Sequence, residues 1–284
     1  MTTSAAVHPA TRIGAVSLAV ADLDRALGFY QEALGFQVHR RDGGAAALGA
    51  GGPDLLRLVE QPGARPARGV TGLYHFAVLV PSRRDLARSL RRLAELRTPL
   101  QGMSDHAVSE AIYLADPDGN GIEVYRDRPR GEWPTAGREV RMTVDPLDVD
   151  GLIGELAGDD EPWSGLRPAT TIGHMHLHVA DIAAARRFYV GVIGFELMQS
   201  FGSADFVAAG GYHHHLGYNI WAGRGAPPPT PEMAGLRSFE VLLPDQPALD
   251  AVLGRVRSAG LPIAEADGGA VVRDPSQNAV VLRV

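Results

Sequence analysis

The sequence predicts a mixed α+β fold built from four copies of one strand–helix–three-strand module. Three internal matches carry that prediction, and a fixed internal repeat outranks any local propensity as evidence for architecture. Ile13-Gly-Ala-Val-Ser-Leu-Ala-Val-Ala-Asp-Leu-Asp-Arg-Ala-Leu-Gly-Phe-Tyr30, with Ala33-Leu-Gly-Phe36 after it, recurs as Ile172-Gly-His-Met-His-Leu-His-Val-Ala-Asp-Ile-Ala-Ala-Ala-Arg-Arg-Phe-Tyr189 and Val192-Ile-Gly-Phe195. Leu73-Tyr-His-Phe-Ala-Val-Leu-Val-Pro81 matches Leu236-Arg-Ser-Phe-Glu-Val-Leu-Leu-Pro244. The closing stretch Asp116-Pro-Asp-Gly-Asn-Gly-Ile-Glu-Val-Tyr125 matches Asp274-Pro-Ser-Gln-Asn-Ala-Val-Val-Leu-Arg283.

Each element has a local reason. The first strand of modules one and three alternates with period two, and Asp22 and Asp181 then stand where a helix is capped. An amphipathic helix runs to Phe29-Tyr30 or Phe188-Tyr189, pairs that read as core packing, and Gly-Phe opens the next strand. Modules two and four carry helices over 84–97 and 246–259. Asp-Pro followed by Gly or Asn is turn chemistry, so Asp116, Asp118 and Gly119 read as turn formers, and the apolar run behind them as a strand. Residues 12–127 and 170–284 read as two domains of two modules each. The linker, 128–169, is rich in Gly, Pro and acids (Gly158-Asp-Asp-Glu-Pro162), with one short helix at 149–156. The run Pro227-Pro-Pro229 marks a loop between modules three and four.

Composition narrows the function. The chain has 284 residues, 45% hydrophobic and 21% charged, which is globular. All 27 basic residues are arginine, dispersed within a net charge of −6, so nucleic acid is not an expected partner. Without cysteine, disulfides, thiolate metal sites and a cysteine nucleophile are excluded. No apolar run approaches the ~20 residues of a membrane span, so no membrane partner and a cytoplasmic location are expected.

The chemistry-bearing residues are histidines. His174, His176 and His178 alternate with Met175, Leu177 and Val179, so a strand places three imidazoles on one face. Imidazole is the commonest protein metal ligand near neutral pH. His213, His214 and His215 follow one module later. Glu123, flanked by apolar residues in a strand expected to be buried, is the matching carboxylate, because a buried unpaired carboxylate is costly. His8 and His39 read as surface residues. Trp221 suits either a pocket wall or the core.

The repeated strand-Asp-helix-Phe-Tyr-Gly-Phe pattern and the Asp-Pro-Asp-Gly-Asn-Gly-Ile-Glu closure resemble the vicinal-oxygen-chelate superfamily, which includes glyoxalase I, extradiol dioxygenases and fosfomycin-resistance proteins. Gly72-Leu-Tyr-His-Phe-Ala77, Asp105-His-Ala-Val-Ser-Glu110 and Gly210-Gly-Tyr-His-His-His-Leu-Gly-Tyr-Asn-Ile-Trp-Ala-Gly223 are similar to two-domain bacterial catechol 2,3-dioxygenases. The resemblance implies half-barrel domains in which each module offers a metal ligand on its first and last strands. Module two then offers His75 and Glu123, and module three His174 and His215. Ala15 and Arg57 of module one, and Ser238 and Val281 of module four, make no site. A complete site therefore requires modules two and three to pair across the halves. His176 and His213 stay open as ligands, each two residues from a named one.

The implied activity is extradiol cleavage of a small aromatic diol by O2 at Fe(II), with Mn(II), Ni(II) or Zn(II) as alternative metals and a homo-oligomer compatible with the family. Two imidazoles and one carboxylate form the facial triad of non-haem Fe(II) oxygenases. His213 or His106 is expected as the proton-transfer group, and Tyr125, sharing strand parity with Glu123, as a hydrogen-bonding group at the bound oxygens. His176 and His178 are expected to line the cavity and His214 to point away from it. If all four candidates bind a six-coordinate Ni, Co or Zn, the site instead resembles a glyoxalase-type isomerase. An inert binder of aromatic compounds is the third reading.

Overall fold

The structure, a computed structural model, describes residues 6–136, 139–266 and 268–284. Module one is β1 (Arg12–Val20), α1 (Leu23–Glu32), β2 (Gln37–Asp42), β3 (Ala45–Gly49) and β4 (Asp54–Glu60). Module two is β5 (Gly72–Leu79), α2 (Arg83–Glu95), β6 (Leu100–Asp105), β7 (Ser109–Ala115) and β8 (Gly121–Asp127). The connecting segment adds the short strands β9 (Thr135–Ala136), β10 (Glu139–Val140) and β11 (Asp145–Pro146) and the helix α3 (Val149–Gly154). Module three is β12 (Thr171–His178), α4 (Ile182–Arg186), β13 (Glu196–Ser200), β14 (Ala204–Ala208) and β15 (Leu216–Asn219). Module four is β16 (Gly235–Leu242), α5 (Gln246–Ser258), β17 (Ala264–Ala266), β18 (Gly269–Arg273) and β19 (Ala279–Arg283).

The capping chemistry is as the sequence suggests. The Asp22 carboxylate accepts from Arg25 N–H and that of Asp181 from Ala184 N–H, each satisfying a helix-end donor. Module three departs in one respect. Its helix is a single α segment only to Arg186 and continues as a π-helix over Arg187–Ile193, ending at Gly194 in the left-handed region with φ 99°.

Sheet pairing crosses the two halves of the chain. The eight-stranded sheet runs β17-β18-β19-β16-β1-β4-β3-β2 and so joins modules one and four. The nine-stranded sheet runs β11-β6-β7-β8-β5-β12-β15-β14-β13 and joins modules two and three. Residues 12–127 and 170–284 are thus each divided between both sheets, at the antiparallel pairs β1/β16 and β5/β12. Within each half, a buried tyrosine ties one module to the next: Tyr30 Oη donates to Asp116, and Tyr189 Oη to Asp274. Both aspartates also accept from backbone N–H groups of their own turns. They are turn formers, as expected.

The connecting segment is a fastened strap. Strand β11 pairs with β6, and Asp159 and Glu161 accept from arginines of α2. The strap returns to module one where Leu166 N–H donates to Gly35 C=O; Gly35 has φ 80°, and a Cβ there would overlap Gly165 and Trp163.

Candidate metal centre

One row of the nine-stranded sheet assembles the site. In parallel register Ala77 of β5 faces Glu123 of β8, and in antiparallel register it faces His174 of β12. Residues opposite one another in a sheet share a face. Ala77 is fully buried, and its methyl group leaves room for Glu123 and His174 to meet above it. Glu123 Oε2 lies 2.9 Å from His174 Nε2. His75, two residues before Ala77 and hence on the same face, brings its Nε2 to 3.0 Å from that oxygen. All three residues are buried, and their ligand atoms lie within 4.8 Å of one another.

The donor set fits a cation. His75 Nε2 and His174 Nδ1 are buried without a hydrogen-bond partner, and unmade bonds at buried polar atoms are costly. His75 Nε2 has Glu123 near it but not the alignment a hydrogen bond needs. A metal ion among these atoms would satisfy the carboxylate and both Nε2 atoms together. Burial raises the Glu123 carboxyl, but His174 and His75 reverse this and hold it well below the ordinary range. Burial lowers His174 despite the Glu123 charge, which favours the neutral, ligating imidazole.

His215 is not brought to this cluster. Its Nδ1 accepts from Ala209 N–H at 3.1 Å and its ring packs on Tyr212. The physical reason is that His213, His214 and His215 precede β15, which starts only at Leu216, so strand alternation does not govern them. For the same reason His214, expected to point away, lines the cavity with its ring 4.1 Å from that of His174. His213 lies behind it: Nδ1 is 2.8 Å from His214 Nδ1, and Nε2 is 2.8 Å from Asp127 Oδ1. Tyr125 is fully buried, its hydroxyl shared with Tyr212 Oη at 2.8 Å, and its ring packs 4.8 Å from His174. It packs against His174 instead of facing the cavity. His8 and His39 are exposed.

A cavity of about 370 Å³ opens over His75 and Glu123, with His174 buried behind them. Its wall includes Tyr74, Phe206 and Trp221, so Trp221 takes the wall role. His106 and Tyr113 form a pair there: His106 Nδ1 is 2.6 Å from Thr143 C=O and its Nε2 2.6 Å from Tyr113 Oη. A carbonyl only accepts, so Nδ1–H donates to it and Tyr113 O–H donates to Nε2. Burial and then the Glu123 charge raise the Tyr113 phenol well above its usual range. His176 lines the cavity and bonds Asn219 at 3.0 Å, whereas His178, bonded to Asn219 Oδ1 at 2.7 Å, lines a neighbouring space. Tyr113 is absent from the sequence-based candidates. Its signal was available: it pairs with Glu123 on the adjacent strand, in the same row. Met142, Thr143 and Val144 of the strap close one side, which segment composition alone does not reveal.

Residues 12–124 and 171–282 match the family model for the Glyoxalase/Bleomycin resistance protein/Dioxygenase superfamily. A catechol-2,3-dioxygenase from Bacillus subtilis (strain 168) is 47% identical over 285 residues, covering 98% of this chain and 99% of that protein. Among solved structures, a candidate dioxygenase from B. subtilis superposes with a TM-score of 0.65 at 14% identity, covering 98% of this chain and 85% of its own. Maize glyoxalase I superposes at 0.57 with 17% identity, covering 96% and 92%. At these identities the two structures speak for the fold.

Proposed function

Because the chain belongs to the Glyoxalase/Bleomycin resistance protein/Dioxygenase superfamily, we propose that it is an extradiol dioxygenase. It opens catechol or a substituted catechol beside the diol, using dioxygen at a non-haem ferrous centre held by His75, Glu123 and His174. The observation that carries this reading is the buried two-imidazole, one-carboxylate trio, of which His75 and Glu123 line a partly aromatic cavity. The name of the B. subtilis relative supports it over other activities of the superfamily. His215 outside the cluster leaves three donors, which speaks against the four-ligand isomerase arrangement.

Ferrous iron bound there would offer open positions to both catechol oxygens and dioxygen and carry charge from ring to oxygen. The chain's own residues position and move protons. Tyr113 Oη and His106 Nε2 form a relay: a substrate hydroxyl that donates to Tyr113 Oη passes a proton on to His106 Nε2, whose other nitrogen is anchored on Thr143. Burial keeps His214 a neutral imidazole beside His174. Tyr74 and Trp221, edge to face with centroids 5.2 Å apart, wall the ring from solvent. Tyr125 and His213 hold the ligand strand and the histidine loop from behind.

The test is anaerobic loading with ferrous iron, then catechol and air. One dioxygen consumed per yellow ring-fission product supports the reading. Oxygen left unconsumed, with nickel-dependent isomerisation of methylglyoxal hemithioacetal, replaces it with the isomerase. Manganese, nickel or zinc loading in parallel identifies the working metal.

A further inference from the structure

A second chamber, of about 310 Å³, adjoins the first. Tyr74, Gln101, Gly121 and Trp221 line both, so the aromatic pair Tyr74 and Trp221 stands between them. Gly72 and Gly235, at the starts of β5 and β16, line it with φ 128° and 129°. A Cβ at Gly72 would meet nothing within 4 Å, so the space there is open.

The chamber's wall carries two arginines, the exposed Arg68 and the half-buried Arg237. Arg57, Arg126 and Arg186, all partly or largely buried, each hold an acid: Glu240, Glu110 and Asp205. Arg237, also half-buried, has only neutral partners: Nη2 donates to Gln61 Oε1 at 2.5 Å and to Met233 C=O at 2.8 Å. No carboxylate among the described residues forms an ion pair with it. Burial lowers its pKa with no acid to compensate. Arg255 is likewise held only by neutral groups, the Val192 and Ile193 carbonyls, but it borders none of the cavities described, whereas Arg237 borders a chamber in which an anion could pair with it. The chamber's own carboxylate, Asp118, is occupied by Arg25 and by Ala21 N–H. The first cavity has no arginine in its wall.

We propose that this chamber is a carboxylate subsite, anchored by Arg237, for an anionic group on the molecule whose ring occupies the first cavity. The placing of that ring rests on the dioxygenase reading; the anion site does not. The carboxylate has two sources: an acid side chain on the incoming catechol, or the carboxylate that ring opening creates. A guanidinium offers a carboxylate two parallel N–H donors, which a neutral isostere cannot use.

The anion site is tested first on metal-free protein by calorimetric titration with 3-phenylpropanoate and 3-phenylpropan-1-ol. The acid is expected to bind at least about tenfold tighter than the alcohol, with Arg237→Gln losing that advantage and Arg237→Lys, which keeps the charge but not the paired donors, retaining only part of it. Equal binding of acid and alcohol, or equal weakening of both by Arg237→Gln, overturns the proposal. No oxygen chemistry enters this readout, so a failed ring-cleavage assay leaves the binding result standing. With iron-loaded enzyme, a roughly tenfold higher KM for 3-(3,4-dihydroxyphenyl)propanoate in Arg237→Gln, with that for catechol unchanged, assigns the side chain. Weaker product inhibition at unchanged KM values assigns the new carboxylate. Neither change overturns the role in turnover.

Discussion

Glu123 is the residue on which two imidazoles converge, and its removal separates metal binding from folding. Glu123→Gln keeps the shape but offers a weaker, neutral donor, so metal affinity should fall at least about 100-fold while circular dichroism stays unchanged. Metal analysis after desalting checks it. His215→Gln should leave metal content at the native level, because His215 bonds Ala209 N–H and not the cluster. Equal metal loss in both variants would mean that the histidine loop rearranges on loading. Beside His174, Gly173 has no room for a side chain: a Cβ there would overlap the Tyr125 hydroxyl. Gly173→Ala should cost about 1–3 kcal/mol, a lowering of Tm by several degrees. Tyr125→Phe in the same chain should recover part of it, since the hydroxyl is the nearest obstacle.

At the scale of elements, period-two alternation found β5, β8 and β12 because side chains alternate faces along each strand, and the two irregularities of the β5/β12 pairing flank His174–His176 without breaking that alternation. It failed at His213, His214 and His215, which look like strand continued from β15 but form a loop where backbone turns choose the direction of each ring. The π-helix of Arg187–Ile193 was likewise illegible, since the stretch from Asp181 to Phe195 aligns residue for residue with that from Asp22 to Phe36, which forms a regular α-helix. That segment follows an anchor at Arg186, whose guanidinium forks onto the buried Asp205 through two bonds of 2.7 Å. Burial raises the Asp205 carboxyl, but Arg186, Ser200 and Tyr218 hold it below the ordinary range. A folded pKa below the unfolded value of ~3.9 gives stability that is complete above that value and lost as pH falls through the folded one. Asp205→Asn should therefore cost about 1–2 kcal/mol at neutral pH, discounted for the partly exposed arginine, and close to nothing once native Asp205 is itself protonated. Melting curves of both proteins from neutral to strongly acidic pH test this, and a gap independent of pH would remove the ion pair as its cause.

At the scale of the molecule, cross-pairing of modules was legible in what modules one and four lack. Ala15, Arg57, Ser238 and Val281 are not plausible metal ligands, so a complete site required residues of modules two and three to meet across the chain, and His75, Glu123 and His174 do come together. The course of the strap over the cavity was not legible, because it depends on β11 finding the edge of β6 and on arginines of α2 finding Asp159. The topology makes a sharp prediction. Cutting the chain within the strap leaves one fragment with His75 and Glu123 and the other with His174. Each fragment also exposes two long strands, β1 and β5 or β12 and β16, whose partners are on the other piece. Unpaired strand edges that are apolar on one face drive aggregation, so either fragment alone should be insoluble or self-associated and free of stoichiometric metal. Co-expressed, the two should copurify as a one-to-one complex that binds one metal with near-native affinity. A soluble monomeric fragment that retains metal by itself would show that one half can complete the centre, and the shared row of His174, Ala77 and Glu123 would then not be the coordinating surface.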